Sequence, residues 1–254
     1  MIEPDLDFNS QLQLLDDISL PCDERYSDSP YVERVWRSYS GGGGSFVSMA
    51  ESHWEIVIGK YQNTTTLTVR GPETQATPAF GPPNMEFLGI VFKHGAFMPK
   101  FPASMLMDRQ DVNLPSAGSK TFWLDSSAWE YPTFENVDTF VDRLMRKELL
   151  VFDPLINMVL QEQPVDMSQR TLQRRFLRAT GLTYNTMFQI QRARYATTLL
   201  KHGLSILDTV SQVGYADQPH LTRMLKRYMG QTPAQIVSRT LEKPMSLLFK
   251  TAPF

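Results

Sequence analysis

Arg170, Gln173 and Arg174 in one stretch, and Gln218, Thr222 and Arg223 in another, are the side chains here best suited to reading another molecule. A guanidinium can donate two parallel hydrogen bonds to guanine O6 and N7, and a carboxamide can pair with adenine N6 and N7. Each such pair is worth roughly 1–3 kcal/mol of discrimination between bases. Arg178, Lys226 and Arg227 lie farther along the same stretches and suit phosphate oxygens, which supply affinity without sequence information. Arg175 sits nearer the apolar side and suits a structural role, while Arg192 and Arg194 are as well placed for internal ion pairing as for DNA contact.

Other chemistries find little support. The four histidines, His53, His94, His202 and His220, form no His-x-His pair, and the last two have no ligand companions, which fits surface or capping roles. One cysteine, Cys22, excludes a disulfide framework and any zinc site built on paired cysteines. No Ser-His-Asp set or paired catalytic carboxylates stand out, and "GGGG" at 41–44 lacks the Lys-Ser/Thr of a phosphate-cradling loop. Neither cofactor, metal nor catalytic residue is expected.

The elements that must position the reading residues are legible. "SQRTLQRRFLRATGLTYNTM" (168–187) aligns without gaps with "DQPHLTRMLKRYMGQTPAQI" (217–236), including Gln169/Gln218, Leu172/Leu221, Arg174/Arg223, Arg178/Arg227, Gly181/Gly230 and Thr183/Thr232. Both copies read as a cap, a polar first turn, an amphipathic basic helix, a glycine stop and a threonine able to cap the next helix. In the second, Asp217 caps, Pro219 suits the first turn, and Leu221, Leu225 and Tyr228 make one apolar stripe. Before it, "LSILDTVSQVGY" predicts a short supporting helix capped by Ser205 with Asp208 three residues on, Ile206, Val210 and Val213 inward, and Gly214 at the turn. Between the copies a long helix is predicted from about Thr183 to Gly203, with Met187, Ile190, Ala193, Ala196 and Leu200 inward. A spacer of that length can hold two reading helices about one DNA turn, roughly 34 Å, apart.

Charge divides the chain in the same place. The net charge of −2 conceals 12 Lys+Arg against 21 Asp+Glu in residues 1–150, and 13 against 6 in residues 151–254. An acidic half joined to a basic half implies two domains with different partners, the basic one suited to phosphate backbones. The hydrophobic fraction of 42% suits globular cores, and no apolar run approaches the ~18 residues of a membrane span. The acidic N-terminus is unlike a secretory signal, so a cytoplasmic location and no membrane partner are expected.

The stretch from about Asp153 to Ile236 resembles the DNA-binding domain of AraC/XylS-type bacterial transcription regulators. The residues that carry the resemblance are S-x-x-x-L-x-R-x-F…TG at 168–181, R-A-x-x-A-x-x-LL at 192–200, and I-x-x-V-x-x-V-G-Y-x-x-Q-x-x-L-T-R-x-L-K at 206–226, followed by G-x-T-P-A-Q. The resemblance implies a seven-helix, two-headed domain reading adjacent major grooves. One stretch departs from it: "LINMVLQEQPVDMS" (155–168) stands where the family has a supporting helix and a glycine turn, and Pro164 cannot continue a helix. The first supporting helix is therefore expected to be shortened or displaced.

The acidic half reads differently. Residues 1–30 predict a polar, partly ordered arm. From Tyr31, "YVERVWRSYS", "FVSMAESHWEIVIGK", "TTTLTVRG" and "MEFLGIVFK" alternate apolar and polar residues between turn signals, which predicts strands, with "GGGG" as a hairpin-like connection. A β-barrel or sandwich closed by a helix near 134–149 is expected. The resemblance adds that such N-terminal domains are often cupin-like, binding an effector or mediating dimerisation. G-P…G-I-x-F-x-x-G-A resembles, more faintly, the N-terminal domain of some AraC-type relatives.

The expected fold is α+β: a β-barrel or sandwich (cupin-like) domain at 31–150, then an all-α domain at 151–254, core 153–240, with two helix-turn-helix units joined by a long helix. Trp36, His53, Trp54, Phe92 and His94 are candidates for an effector pocket, because aromatic-lined interiors commonly hold small molecules. Double-stranded DNA is the expected partner. The expected function is a sequence-specific transcription regulator controlled by a small-molecule effector bound in the N-terminal domain, with a homodimer and, for an activator, RNA polymerase as further candidate partners. An alternative joins the DNA-binding domain to an enzymatic N-terminal domain such as an alkyl-repair protein, but Cys22 alone in an acidic arm is a poor reactive thiol. A third, protein-binding reading requires apolar residues at 170, 173, 222 and 223, where Arg, Gln, Thr and Arg stand.

Overall fold

A computed structural model describes residues 23–161, 163–238 and 245–246, so most of the N-terminal arm, including Cys22, lies outside the described residues. The first half is sheet-rich and the second helical, as the two hydrophobic periodicities require. The large sheet runs β1 (Asp23–Arg25), β2 (Val32–Tyr39), β7 (Glu86–Phe92), β4 (Glu55–Tyr61), β5 (Thr64–Arg70) and β9 (Val112–Leu114), in that order. Every pairing in it is antiparallel. β1 thus falls within what the sequence reads as arm, held on β2 through Glu24↔Trp36. β3 (Gly44–Ser48) and β6 (Thr77–Gly81) form a second sheet, to which Met245–Ser246 adds in parallel.

Both faces of the large sheet are covered. One face carries Val35, Ile56, Ile58, Leu67, Ile90 and Phe92 into a core closed by β10 (Ser116–Gly118), β11 (Thr121–Leu124), β12 (Ser127–Glu130) and helix α1 (Val137–Arg146). The other face meets β3 and β6 through Trp36, Phe46, Val57, Phe87 and Val91. The sandwich is tight there: a Cβ on Gly89 would lie 2.0 Å from the Trp36 indole, so only glycine lets the ring lie flat. The glycine run at 41–44 does not close a hairpin, which corrects that expectation. It carries the chain from β2 in one sheet to β3 in the other, with Gly41 and Gly43 at φ 52° and 69°, a left-handed backbone that glycine accepts without strain.

Of the seven α-helices among the described residues, α1 belongs to the sheet region and the other six come after it. They are α2 (Pro154–Leu160), α3 (Gln169–Thr180), α4 (Tyr184–Lys201), α5 (Ile206–Val213), α6 (Gln218–Met229) and α7 (Pro233–Val237). α4 is the axis: Met187, Ile190, Ala193, Ala196 and Leu200 are all buried, in one cluster with Phe176, Val213, Leu221 and Leu225. That cluster also takes in Met49, Ala50 and Phe97 from the sheet region, so the two halves share apolar packing.

Candidate nucleic-acid interface

The two basic helices are built to the same plan. Ser168 caps α3 by accepting from Thr171 N, and Asp217 caps α6 by accepting from His220 N at 2.6 Å. Each helix stops at a left-handed glycine, Gly181 and Gly230, both at φ 74°. Thr183 and Thr232 then cap α4 and α7, and Gln235 completes a capping box with Thr232. Such caps satisfy first-turn amides and contribute about 1 kcal/mol each. The apolar stripes face inward, with Phe176 and Ala179 buried on α3 and Leu221, Leu225, Tyr228 and Met229 on α6.

That burial leaves the polar faces outward. Arg170, Gln173, Arg174 and Arg178 on α3, and Gln218, Arg223, Lys226 and Arg227 on α6, are exposed. Thr222 is half-buried, and its hydroxyl donates to Gln218 O at 2.9 Å within the helix. Arg178 lies over the Phe97 ring, 5.7 Å from its centroid, and Arg227 over Tyr228 at 5.3 Å.

The supporting elements differ between the two units. α5 is capped by Ser205, which accepts from Asp208 N, and ends at Gly214 (φ 73°), a tight turn before α6. Arg192 on α4 spans that turn, donating to Val213 O at 2.9 Å and to Gly214 O, with its guanidinium 4.0 Å from the Tyr215 ring centroid. Burial pushes the Tyr215 hydroxyl up, holding it as a neutral ring under the cation. In the first unit, α2 stops at Leu160, and an irregular stretch through Pro164 leads to Ser168. Among the described residues of that stretch, no left-handed glycine turn joins the pair. Arg175 instead ties α3 to the cap of α2, with Nε and Nη2 at 3.0 and 2.6 Å from the two Asp153 carboxylate oxygens. The structural role expected for Arg175 is thereby explained, and Arg192 and Arg194 are both engaged inside the protein.

Arg194 makes the bond that the sequence hid. It is 4% exposed and pairs with Glu51 of the sheet region, Nη1 to Oε2, at 2.6 Å. Glu51 Oε1 accepts from Ser52 N at 2.7 Å and His53 N at 3.1 Å, and lies 2.9 Å from His53 Nδ1. Burial alone would raise the Glu51 carboxyl, but Arg194, His53 and Arg34 outweigh it and hold the group well below the usual carboxylate range. A signal existed: Arg194 stands in the apolar stripe of α4, four residues after Ile190 and three before buried Thr197.

The five pocket candidates fall into three places. Trp36 lies in the thin core between the sheets, its indole donating to Glu55 Oε2 at 3.2 Å. Trp54 and Phe92 stack at 4.1 Å in the opposite core, where the Trp54 indole donates to Ala96 O. His53 and His94 stack at 3.8 Å beside Glu51, the partner of Arg194. Burial and the adjoining His53 ring hold His94 well below its ordinary pKa of 6.5. A base whose folded pKa is depressed stays neutral while its unfolded counterpart takes up a proton. Stability is therefore full above about pH 6.5 and falls as pH drops from there toward the folded pKa. His94→Gln should flatten that limb, where one such group contributes a slope of at most ~1.4 kcal/mol per pH unit; urea denaturation at stepped pH measures it.

Known proteins resemble the helical half in sequence. A family model described as "Helix-turn-helix domain" matches residues 163–239, beginning just past α2. The HTH-type transcriptional regulator RipA of Corynebacterium glutamicum is 37% identical over 89 residues, 34% of this chain and 27% of that one. RipA of Corynebacterium diphtheriae is 37% identical over 73 residues, 29% of this chain and 22% of that one. The C-terminal part of this chain is similar to AraC-type helix-turn-helix domains. This chain spans about a quarter of the length of the RipA relatives. Two structures of ToxT from Vibrio cholerae overlap 86% and 80% of the chain, at 13% and 11% identity and TM-scores of 0.35 and 0.32. A likeness that slight carries no detail across. The likeness falls on the stretch that carries the paired basic helices, and no helix of the described residues is long and apolar enough to cross a membrane.

Proposed function

We propose that this chain is a sequence-specific transcription regulator whose α3 and α6 enter adjacent major grooves of double-stranded DNA. The observation that carries this reading is that two helices of matching sequence, caps and stops keep their polar faces exposed around one buried axis helix. Arg170, Gln173 and Arg174 read one groove, and Gln218, Thr222 and Arg223 the next. Arg178, Lys226 and Arg227 hold phosphates. Arg227→Ala should lower affinity evenly across sequences and reduce the slope of log affinity against log salt by about one unit. Titrations of one duplex at several salt concentrations measure that slope, and an unchanged slope removes Arg227 from the phosphate contacts.

Residues 31–150 act as the sensing and dimerisation domain and 151–254, with core 153–240, as the DNA-binding domain. Of the pocket candidates, His53 and His94 are best placed for an effector to be felt by the helices, because they adjoin the Glu51–Arg194 pair. Control requires that the effector favour one arrangement of the two halves over another. Thermal-shift screening of metabolite pools against wild type and His94→Gln tests this. A compound that shifts both proteins equally does not act through His94.

A further inference from the structure

Within the helical half, the first reading helix has less scaffold than the second. α6 packs chiefly along α4 and is held from behind by α5 through the Gly214 turn. α3 meets α4 and the short α2 only lightly, and the described residues of the stretch through Pro164 hold no left-handed glycine turn like that at Gly214. Its more extensive contacts are with the sheet region: the 3-10 turn Ala103–Met105 and strand β8 (Ala96–Phe97).

Three features make that contact a seat for the helix. Phe97, 9% exposed, joins the apolar cluster that holds Phe176 and Ala179 of α3. Arg178 lies over its ring at 5.7 Å. At the end of α3, Gly181 sits so close to the turn that a Cβ would come within 2.8 Å of the Ala103 carbonyl carbon. The α2 cap is joined to the residue just before β8, since Asp153 N donates to Gly95 O at 2.8 Å, and Asp153 in turn grips Arg175. With the sheet region docked, Arg170, Gln173 and Arg174 remain exposed, so the seat holds the helix without covering its reading face.

We infer that the sheet region is a structural part of the first reading head: Phe97 and the Ala103–Met105 turn replace the supporting helix that Pro164 cuts short and set the angle at which α3 is presented. Phe97 is a positioning residue and touches no DNA. The inference rests on the two-headed reading proposed above. It also makes the first head responsive to whatever alters β8 or the Ala103–Met105 turn, whereas the second head has α4 and α5 as its own scaffold and meets the sheet region elsewhere, where Ala50 N and Ala76 N donate to Tyr228 O and Arg227 O, both at 2.7 Å.

The test uses the full chain and three duplexes drawn from a random-sequence selection with the wild-type protein: both motifs intact, or either one scrambled. The second head's motif is the one whose discrimination is lost in Arg223→Ala. Phe97→Ala should lower affinity for the first motif about tenfold and leave the second within twofold, and Phe97→Tyr should restore the first. Gly181→Ala, which pushes α3 off its seat from the helix side, should give the same split. Retained affinity for the second motif certifies that a variant is folded. Equal loss on both motifs, or no loss on either, in both Phe97→Ala and Gly181→Ala overturns the inference. A wild-type selection that yields one motif overturns it and leaves the second head standing. A selection that yields none overturns the two-headed reading itself.

Discussion

Arg223→Ala lowers affinity for the preferred duplex by roughly 1–3 kcal/mol and relaxes base preference at one position, while affinity for random DNA falls less. The expectation rests on where the residue stands. Arg223 is on the exposed face of α6, near a start fixed by Asp217, and opposite the buried Leu221 and Leu225. Because its side chain already points to solvent, meeting a base edge requires no buried contact to break. A phosphate contact, by contrast, weakens all duplexes alike. Titration of preferred and random duplexes at one salt concentration separates the two. Equal losses would reassign Arg223 to the backbone and put the reading positions elsewhere on α6.

Arg194→Met destabilises the protein by about 3–5 kcal/mol, the usual result of leaving one partner of a buried ion pair behind. Glu51 would remain beneath the α4 axis with only His53 and Arg34 to offset its charge. Placing Glu51→Gln in the same chain removes the stranded charge, so the double variant should recover a large part of the loss. Urea denaturation of the four proteins completes the cycle. Additive losses would mean the 2.6 Å pair contributes nothing beyond its separate side chains. The depressed carboxyl also fixes the pH sense: the Glu51 contribution is full above its unfolded pKa of about 4.3 and is lost as pH falls through the lower folded value.

The helical half was legible because its information is local. Ser168, Thr183, Ser205, Asp217 and Thr232 each cap the helix that their side chains suggest, and Gly181, Gly214 and Gly230 take the left-handed backbone that stops one. Repetition at a fixed spacing supplied the rest. Pro164 likewise announced the short α2. The sheet half was legible only strand by strand. Alternation marked β2, β4, β5 and β7, but nothing local says that β7 lies between β2 and β4, or that the glycine run crosses between sheets. The pocket candidates were chosen for residue type within strands, and partition between faces depends on register, which one-residue steps reverse. Trp36 and Val35 are neighbours in sequence and lie in different cores. The Glu51–Arg194 pair and the seat of α3 on Phe97 join residues far apart in the chain, and no spacing rule connects them.

The most direct measurement of the central claim is selection from random duplex DNA by the intact protein, with titration of the winners against salt. Two helices set around α4 predict two short motifs about one helical turn apart, roughly 10 base pairs from centre to centre, with affinity falling steeply as salt rises. Recovery of duplexes with no shared motif, bound no better than random sequence at any salt concentration, would contradict it.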